Sequence, residues 1–304
     1  MRLSGSAFRR IKKAVKSYIS FMRYEVFVDA RRDEIEASKY EMWESDTCNF
    51  SETRPICMLA HYAADDTVNE NLLSYVRALT SCGIDIVLIS ACEHMPKEQI
   101  DRALEYCSAV ITRKNIGYDF YSWKIGCLAY PEYATRPAML WLNDSVLVEE
   151  KGVPRIVKTA LSSSAGLFGL TDCFRHGHHL QSYFLRFSHS VITSREFRDF
   201  LGAIAVHRNK PTVIRLYEVG LSRKIGVKAG VESMIKTRDL HRADGGKPLR
   251  RLNPTIDTWK ELIERYALPF AKKELITKRG VPIEDIRTSF ARIKHAYPPG
   301  AANV

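Results

Sequence analysis

Between residues 55 and 143 the sequence alternates nearly unbroken apolar runs with segments of helical spacing, and this alternation constrains the fold more than any other feature. The runs are Pro55-Ile-Cys-Met-Leu-Ala60, Ile84 to Ser90, Ala109-Val-Ile-Thr112 and Ala138-Met-Leu-Trp-Leu142. Four to seven residues that are almost wholly apolar read as strands buried on both faces. Val68 to Cys82 sets Leu72, Leu73, Val76 and Leu79 on one helical face and stops at Gly83. Lys97 to Tyr106 is a second helix, and a third runs from about Tyr121 to Leu128 around Gly126. Strands joined through helices must run parallel, so the expected class is α/β with a mainly parallel central sheet. After about residue 160 the alternation weakens, although Gly166 to Leu170 and Gln181 to Phe187 still read as strands. Residues 25–54 are polar and charge-mixed, a helical or irregular connector.

In such sheets ligands bind at the carboxyl ends of strands. Three polar clusters fall there: His61-Tyr62, Arg113 to Asp119, and Asn143-Asp144-Ser145. The second combines Arg113, Asn115, a glycine turn at Gly117, Asp119 and, further on, Lys124. Cations beside a helix start suit a diphosphate, and the glycine lets backbone approach a ligand. The same residues would also serve as a capped helix start with a solvated basic flank. Asp144 is a candidate ligand for a divalent metal, Mg²⁺ or Mn²⁺, and the alternative is an Asx-turn that merely ends the strand.

Two further constellations lie downstream. His176-Gly-His178-His179-Leu-Gln181-Ser-Tyr183 holds three histidines in four residues. In an extended chain His178 and His179 face opposite ways, which favours hydrogen bonding to substrate over a zinc site. Glu218, beside Tyr217 and ahead of a helix holding Arg223, Lys224 and Lys228, is a candidate general base. Its alternative is an acid balancing a helix dipole.

Charge and cysteines exclude several classes. The chain of 304 residues carries 46 Lys plus Arg and 35 Asp plus Glu, a net charge of +11. Residues 1–24 hold seven basic residues and no acidic one, residues 25–194 hold 16 basic against 23 acidic, and residues 195–304 hold 23 against 12. The acidic middle, which contains the strand-end clusters, argues against nucleic acid as partner. In residues 1–24 Phe8, Ile11, Val15, Tyr18 and Met22 recur at steps of three and four, so this is a basic amphipathic helix. It suits an anionic membrane surface, or equally docking on its own domain. No apolar run reaches the length of a membrane span, and the N-terminus lacks the apolar core of a signal peptide. Seven cysteines, an odd number with no CxxC pair, fit reduced thiols and a cytoplasmic setting.

Five segments, in this order, resemble the rhamnan synthesis protein F family of bacterial glycosyltransferases: RKNIGYDFYSWKIG from Arg113, LNDSV from Leu142, HHLQSYFLRF from His178, YEVGLS from Tyr217, and LNPTIDTWKELIERYALPFAKKELI from Leu252 to Ile276. The resemblance implies a GT-A-like single Rossmann-type nucleotide-binding domain over residues 55–276, preceded by the helix and connector of 1–54 and followed by a helical tail, 277–304. It implies transfer, with inversion, of a sugar from a nucleotide-sugar donor to a growing polysaccharide or lipid-linked acceptor. L-Rhamnose from dTDP-rhamnose comes from the family alone, and no residue of this sequence specifies it. Peripheral attachment to the inner membrane follows from the same resemblance and the basic helix.

The resemblance places His61, Tyr62, Asn143, Asp144 and Ser145 at the donor, with the metal on Asp144, and the chemistry of the cation loop adds Arg113, Asn115, Gly117, Asp119 and Lys124. Acceptor binding is expected from the histidine segment, at His178, His179, Gln181 and Tyr183, and the resemblance matches Glu218 to the base. Asn143-Asp144-Ser145 stands where GT-A enzymes carry Asp-x-Asp, so metal dependence stays open. A nucleotide-sugar hydrolase and a non-catalytic nucleotide-sugar binding protein are the competing functions.

Overall fold

The computed structural model describes residues 31–92, 94–241 and 246–296. The proposed amphipathic helix of residues 1–24 lies outside them. A short helix α1, residues 31–37, precedes strand β1 (Tyr40–Glu44). Then follow β2 (Ile56–His61), α2 (Glu70–Ser81), β3 (Asp85–Ser90), α3 (Lys97–Leu104), β4 (Ala109–Arg113), α4 (Tyr118–Ala129) and β5 (Ala138–Asn143). The later strands are β6 (Val146–Val148), β7 (Leu167–Cys173), β8 (His179–Leu180), β9 (Phe184–Ser188), β10 (Val231–Ile235) and β11 (Phe270–Lys272), with helix α5 (Val153–Ser162) before β7.

The main sheet has the order β1-β4-β3-β2-β5-β9-β7-β10, with β8 paired to β7. Strands β2, β3, β4, β5, β7 and β10 point one way, and β1, β8 and β9 point the other. The expected α/β architecture with a mainly parallel sheet is therefore what the chain forms. Every residue of β2, β3, β4 and β5 is buried, which explains why the sequence reads there as continuous apolar runs.

The connector expected over residues 25–54 instead holds the edge strand β1, antiparallel to β4 with Tyr40 opposite Arg113. Its sequence, Tyr-Glu-Met-Trp-Glu, is largely exposed, so it lacks the apolar signature of the inner strands. Charges on an edge strand also discourage pairing with other chains.

Alternate residues of β2 feed two cores. Cys57 and Leu59 join α2, α3 and α5 on one face, while Ile56, Met58 and Ala60 join α4 and the helices after β9 on the other. Gly126 lets α4 lie against the sheet, since a Cβ there would meet Ile89 and Met58 at 2.9 Å. Trp123 of α4 stacks on Trp141 of β5 at 5.1 Å and donates its indole N–H to the Leu142 carbonyl at 2.9 Å. That contact fixes the helix over the strand end where the chain turns into Asn143.

Topology singles out one place on the sheet. From β2 the chain winds outward through β3 and β4, then returns to place β5 on the other side of β2. The carboxyl ends of β2 and β5 flank the crevice where the winding reverses, the position at which open α/β sheets take ligands.

Candidate active site

His61 ends β2 and Asn143 ends β5, so the switch point is lined by the residues that follow them. The Asp144 N–H donates to the Ala60 carbonyl at 3.0 Å, which carries the ladder one residue past β5 and holds the Asp144 carboxylate near His61. His61 is 2% exposed; its Nδ1 pairs with Ser90 Oγ at 2.9 Å, while Nε2 lies 3.9 Å from Asp144 Oδ2 with no hydrogen-bond partner. A buried polar atom left so costs about 1–3 kcal/mol, which marks a position that a ligand atom would relieve. Burial, then the charge of Lys273, lowers the His61 pKa to about 4, so the ring is neutral near pH 7.

A relay of side chains links four elements. Asn143 Nδ2 donates to Asp119 Oδ2 at 2.8 Å, and Asn143 Oδ1 accepts from Ser145 Oγ at 2.5 Å. Ser145 Oγ in turn accepts from Lys272 Nζ at 2.8 Å. Lys273 Nζ lies 3.4 Å from Asp144 Oδ2. Lys272 is the last residue of β11 and Lys273 the next, and β11 pairs antiparallel with β6 in a two-stranded ribbon, Lys272 opposite Val146. The ribbon continues where the Lys273 N–H donates to the Ser145 carbonyl at 2.9 Å, so this pairing alone sets the lysines against the end of β5.

The electrostatics are strained by enclosure. Burial pushes the Lys272 pKa down to about 8, while the charges of Glu218 and Asp119 hold it up. Burial raises Asp144, and Lys273 offsets this. Asp119 is raised by burial and by Asp144, against the pull of Lys272, Lys210 and the Asn143 amide. Three carboxylates and three ammonium groups thus share one electrostatic neighbourhood. Strongly perturbed groups of this kind concentrate at functional sites.

Glu218 enters from a different direction. It ends a π-helical turn, Ile214–Glu218, between the helical residues Lys210–Val213 and Val219–Lys224. The expectation of a helix beginning after Glu218 is corrected here, since the helix runs through it. A π-turn inserts a residue and re-aims the side chains beyond it, and such turns recur at functional sites. Glu218 Oε1 accepts from both the N–H and the Oγ of Ser182, at 2.9 and 2.8 Å. Oε2 lies 3.9 Å from His179 Nε2.

The other sequence candidates divide among several places. His179 is 3% exposed, donates Nδ1–H to the Gly177 carbonyl at 2.7 Å, and belongs with Glu218. His178 turns away to Asp172 Oδ2 at 2.8 Å and lines a separate cavity of about 460 Å³ with Phe174, Lys236 and Arg238. Gln181 is tied to Thr171, Asn253 and Thr255, and Tyr183 is buried with its hydroxyl on Thr171 and its ring 4.7 Å from Lys272 Nζ.

Arg113 is 2% exposed, donating to Ser122 Oγ and the Ile116 carbonyl, and Lys124 Nζ donates to the Ile204 carbonyl. The partners of both cations lie in α4, in the loop before it and at residue 204, away from the residues that end β2 and β5. Asn115 and Gly117 line another cavity, about 440 Å³, with Tyr118, His207 and Arg208. Tyr62 is half exposed.

Among the described residues no group of three or more His, Cys, Asp or Glu side chains converges to hold a metal ion. At Asp144 the position facing the carboxylate is taken by the Lys273 ammonium, with the Lys272 ammonium on the neighbouring Ser145. Hard divalent cations gather oxygen ligands, and here Asp119 is turned to the Asn143 amide while Asp144 faces an ammonium group, so the arrangement does not fit one. Sequence reasoning assigned no role to Lys272, Lys273 or Ser182. The two lysines do fall inside the last of the five motif segments, which was the available signal.

No family model matches the chain, so the family drawn from the five motifs stands as a proposal. An uncharacterized protein, y4gN, of Sinorhizobium fredii is 29% identical over 194 residues, covering 62% of this chain and 50% of its own length. The chain thus spans about half the length of that curated relative. Among solved structures it is similar to the glycosyltransferase GlyE of Streptococcus pneumoniae TIGR4, with 14% identity, a TM-score of 0.35, and coverage of 60% of this chain and 46% of that one. It is similar also to the mannosyltransferase Ktr4p of S. cerevisiae, with 10% identity, a TM-score of 0.32, and coverage of 59% and 69%. Overlaps this partial carry no residue role across.

Proposed function

We propose that the chain is a GT-A-type inverting glycosyltransferase that moves a sugar from a nucleotide-sugar donor to a glycan or lipid-linked glycan acceptor. The observation that carries this reading is that Lys272, seated on Ser145 beside Asp144 at the end of β5, also lies within the field of Glu218, a carboxylate hydrogen-bonded through Oε1 alone. The donor diphosphate lies against the ends of β2 and β5. The acceptor hydroxyl approaches Glu218, whose Oε2 takes its proton as the hydroxyl oxygen attacks the anomeric carbon. The bond from that carbon to the diphosphate breaks, and its electrons leave with the nucleoside diphosphate. Ammonium groups beside the crevice offset the charge that develops there. A nucleoside diphosphate leaves without a general acid, so one base suffices, unlike the paired carboxylates of a glycosidase.

L-Rhamnose as the donor sugar, a cell-surface polysaccharide as product, and attachment to an anionic membrane through residues 1–24 belong to the same proposal and rest on the motif resemblance and the charge pattern.

The test is a melting-temperature panel of sugar nucleotides, followed by transfer assays with the binder. Glu218→Gln should lower the transfer rate about 10²–10⁴-fold with the melting temperature nearly unchanged. Transfer at the wild-type rate removes Glu218 as base. Release of free sugar at the same rate with and without acceptor would make the chain a hydrolase instead.

A further inference from the structure

The site holds its positive charge in an unusual form. Lys272 ends β11 and Lys273 follows it directly, yet each reaches a different neighbour at the end of β5, Ser145 Oγ and Asp144 Oδ2. The ribbon with β6 fixes them there through backbone pairing, so their position does not depend on a ligand. Lys272 has Tyr183 under it and the charges of Glu218 and Asp119 about it, which keep an enclosed ammonium charged. Beside them His61 Nε2 is buried, unpartnered and 3.9 Å from Asp144. This unpartnered nitrogen is an observation separate from the ion pairs of the lysines and points to a ligand atom in the same crevice. When the Ser90 hydroxyl donates to His61 Nδ1, Nε2 carries the proton, and with the two ammonium groups it makes a receptor for anionic oxygen.

We propose that Lys272 and Lys273, with His61 beside them, bind the diphosphate of the donor directly, so that nucleotide binding at this site needs no divalent cation. The proposal rests on the nucleotide-sugar reading above and adds to it the residues that neutralise the diphosphate. Lysine is suited to the task as a compact point charge with three donors. A divalent ion on Asp144 would have to displace Lys273 and stand against the Lys272 charge, whereas the diphosphate meets both as counter-ions. Asp144 then serves to position Lys273, and Ser145 to position Lys272.

The experiment is isothermal titration of the full chain with UDP, dTDP and GDP, in EDTA and again with excess Mg²⁺ or Mn²⁺. At least one nucleotide should bind in EDTA, with an affinity that the metal changes less than twofold. Lys272→Met and Lys273→Met should each weaken that binding about tenfold or more. Lys278→Met, at an exposed lysine paired with Glu274, should leave it unchanged. Melting of each variant without nucleotide separates loss of binding from loss of fold, and Lys273→Arg, which keeps the charge, should retain more affinity than Lys273→Met. Binding that appears only with metal overturns this proposal and leaves the nucleotide-sugar reading intact. Equal affinity of the wild type and both methionine variants also overturns it. No binding of any of the three nucleotides under either condition overturns both.

Discussion

The stretch from β2 to β5 and the stretch from β7 to β11 build the same crevice by opposite means. In the first, regular parallel strands end in polar residues, and topology alone brings His61 and Asp144 together. In the second, a π-turn aims Glu218, a two-residue strand carries His179, and a three-residue strand delivers Lys272 and Lys273. The regular stretch supplies a rigid platform. The irregular stretch supplies most of the charge that chemistry would use. The difference teaches that stability and reactivity are assigned to separate parts of the chain, so substitutions in each should fail differently.

The strongest test of that division is Trp141→Ala. Trp141 is fully buried, stacked on Trp123 and edge-on to Phe187 at 4.9 Å, at the middle of the platform. Its removal should cost about 3–5 kcal/mol in urea unfolding. A loss below about 1 kcal/mol would mean that the platform is not where stability resides.

Next comes the pH response of His61. Its folded pKa of about 4 lies below the ordinary 6.5, so the unfolded chain takes up a proton that the folded one refuses. The stability held at neutral pH should therefore fall as pH drops through 6.5 and level off near 4, a loss of roughly 3 kcal/mol from this residue. Asp119 and Asp144, raised by burial, respond in the other sense. The difference in unfolding free energy between wild type and His61→Gln, followed across that window, isolates the imidazole. A flat difference would show the ring protonates freely in the fold.

The smallest effect sharpens the boundary between the two parts. Gly117 stands at φ +90°, and a Cβ there would come 2.7 Å from that of Tyr121. Gly117→Ala should cost about 1–2 kcal/mol in thermal or urea unfolding. If the loop is only a helix entry, nucleotide affinity should be unchanged.

What could be read from the sequence follows the same division. Strands β2 to β5 were legible because burial on both faces forces continuous apolar runs, and the polar residues that stop them named His61, Asn143 and Asp144. Strand β1 was not, because an exposed edge strand may be polar and Tyr40–Glu44 is. Arg113 and Lys124 looked like ligand-facing cations because sequence shows charge and not direction; their partners, Ser122, Ile116 and Ile204, appear only in the fold. Lys272 and Lys273 carry no signal of hydropathy or spacing, only their place in the last motif segment. Their role comes from pairing with β6, more than a hundred residues earlier, and such pairing leaves no periodicity to find.

The β6–β11 ribbon has a further consequence, for the order in which the protein becomes competent. Ser145 cannot meet Lys272 and Lys273 until the chain has been made as far as residue 273. During synthesis the parallel platform can assemble while the pocket still lacks its cations. Closing so long a loop is entropically costly and slow compared with local helix formation. The ribbon is therefore the last part of this cluster to form: Asn143, Asp144 and Glu218 can all be made before the lysines that face them exist.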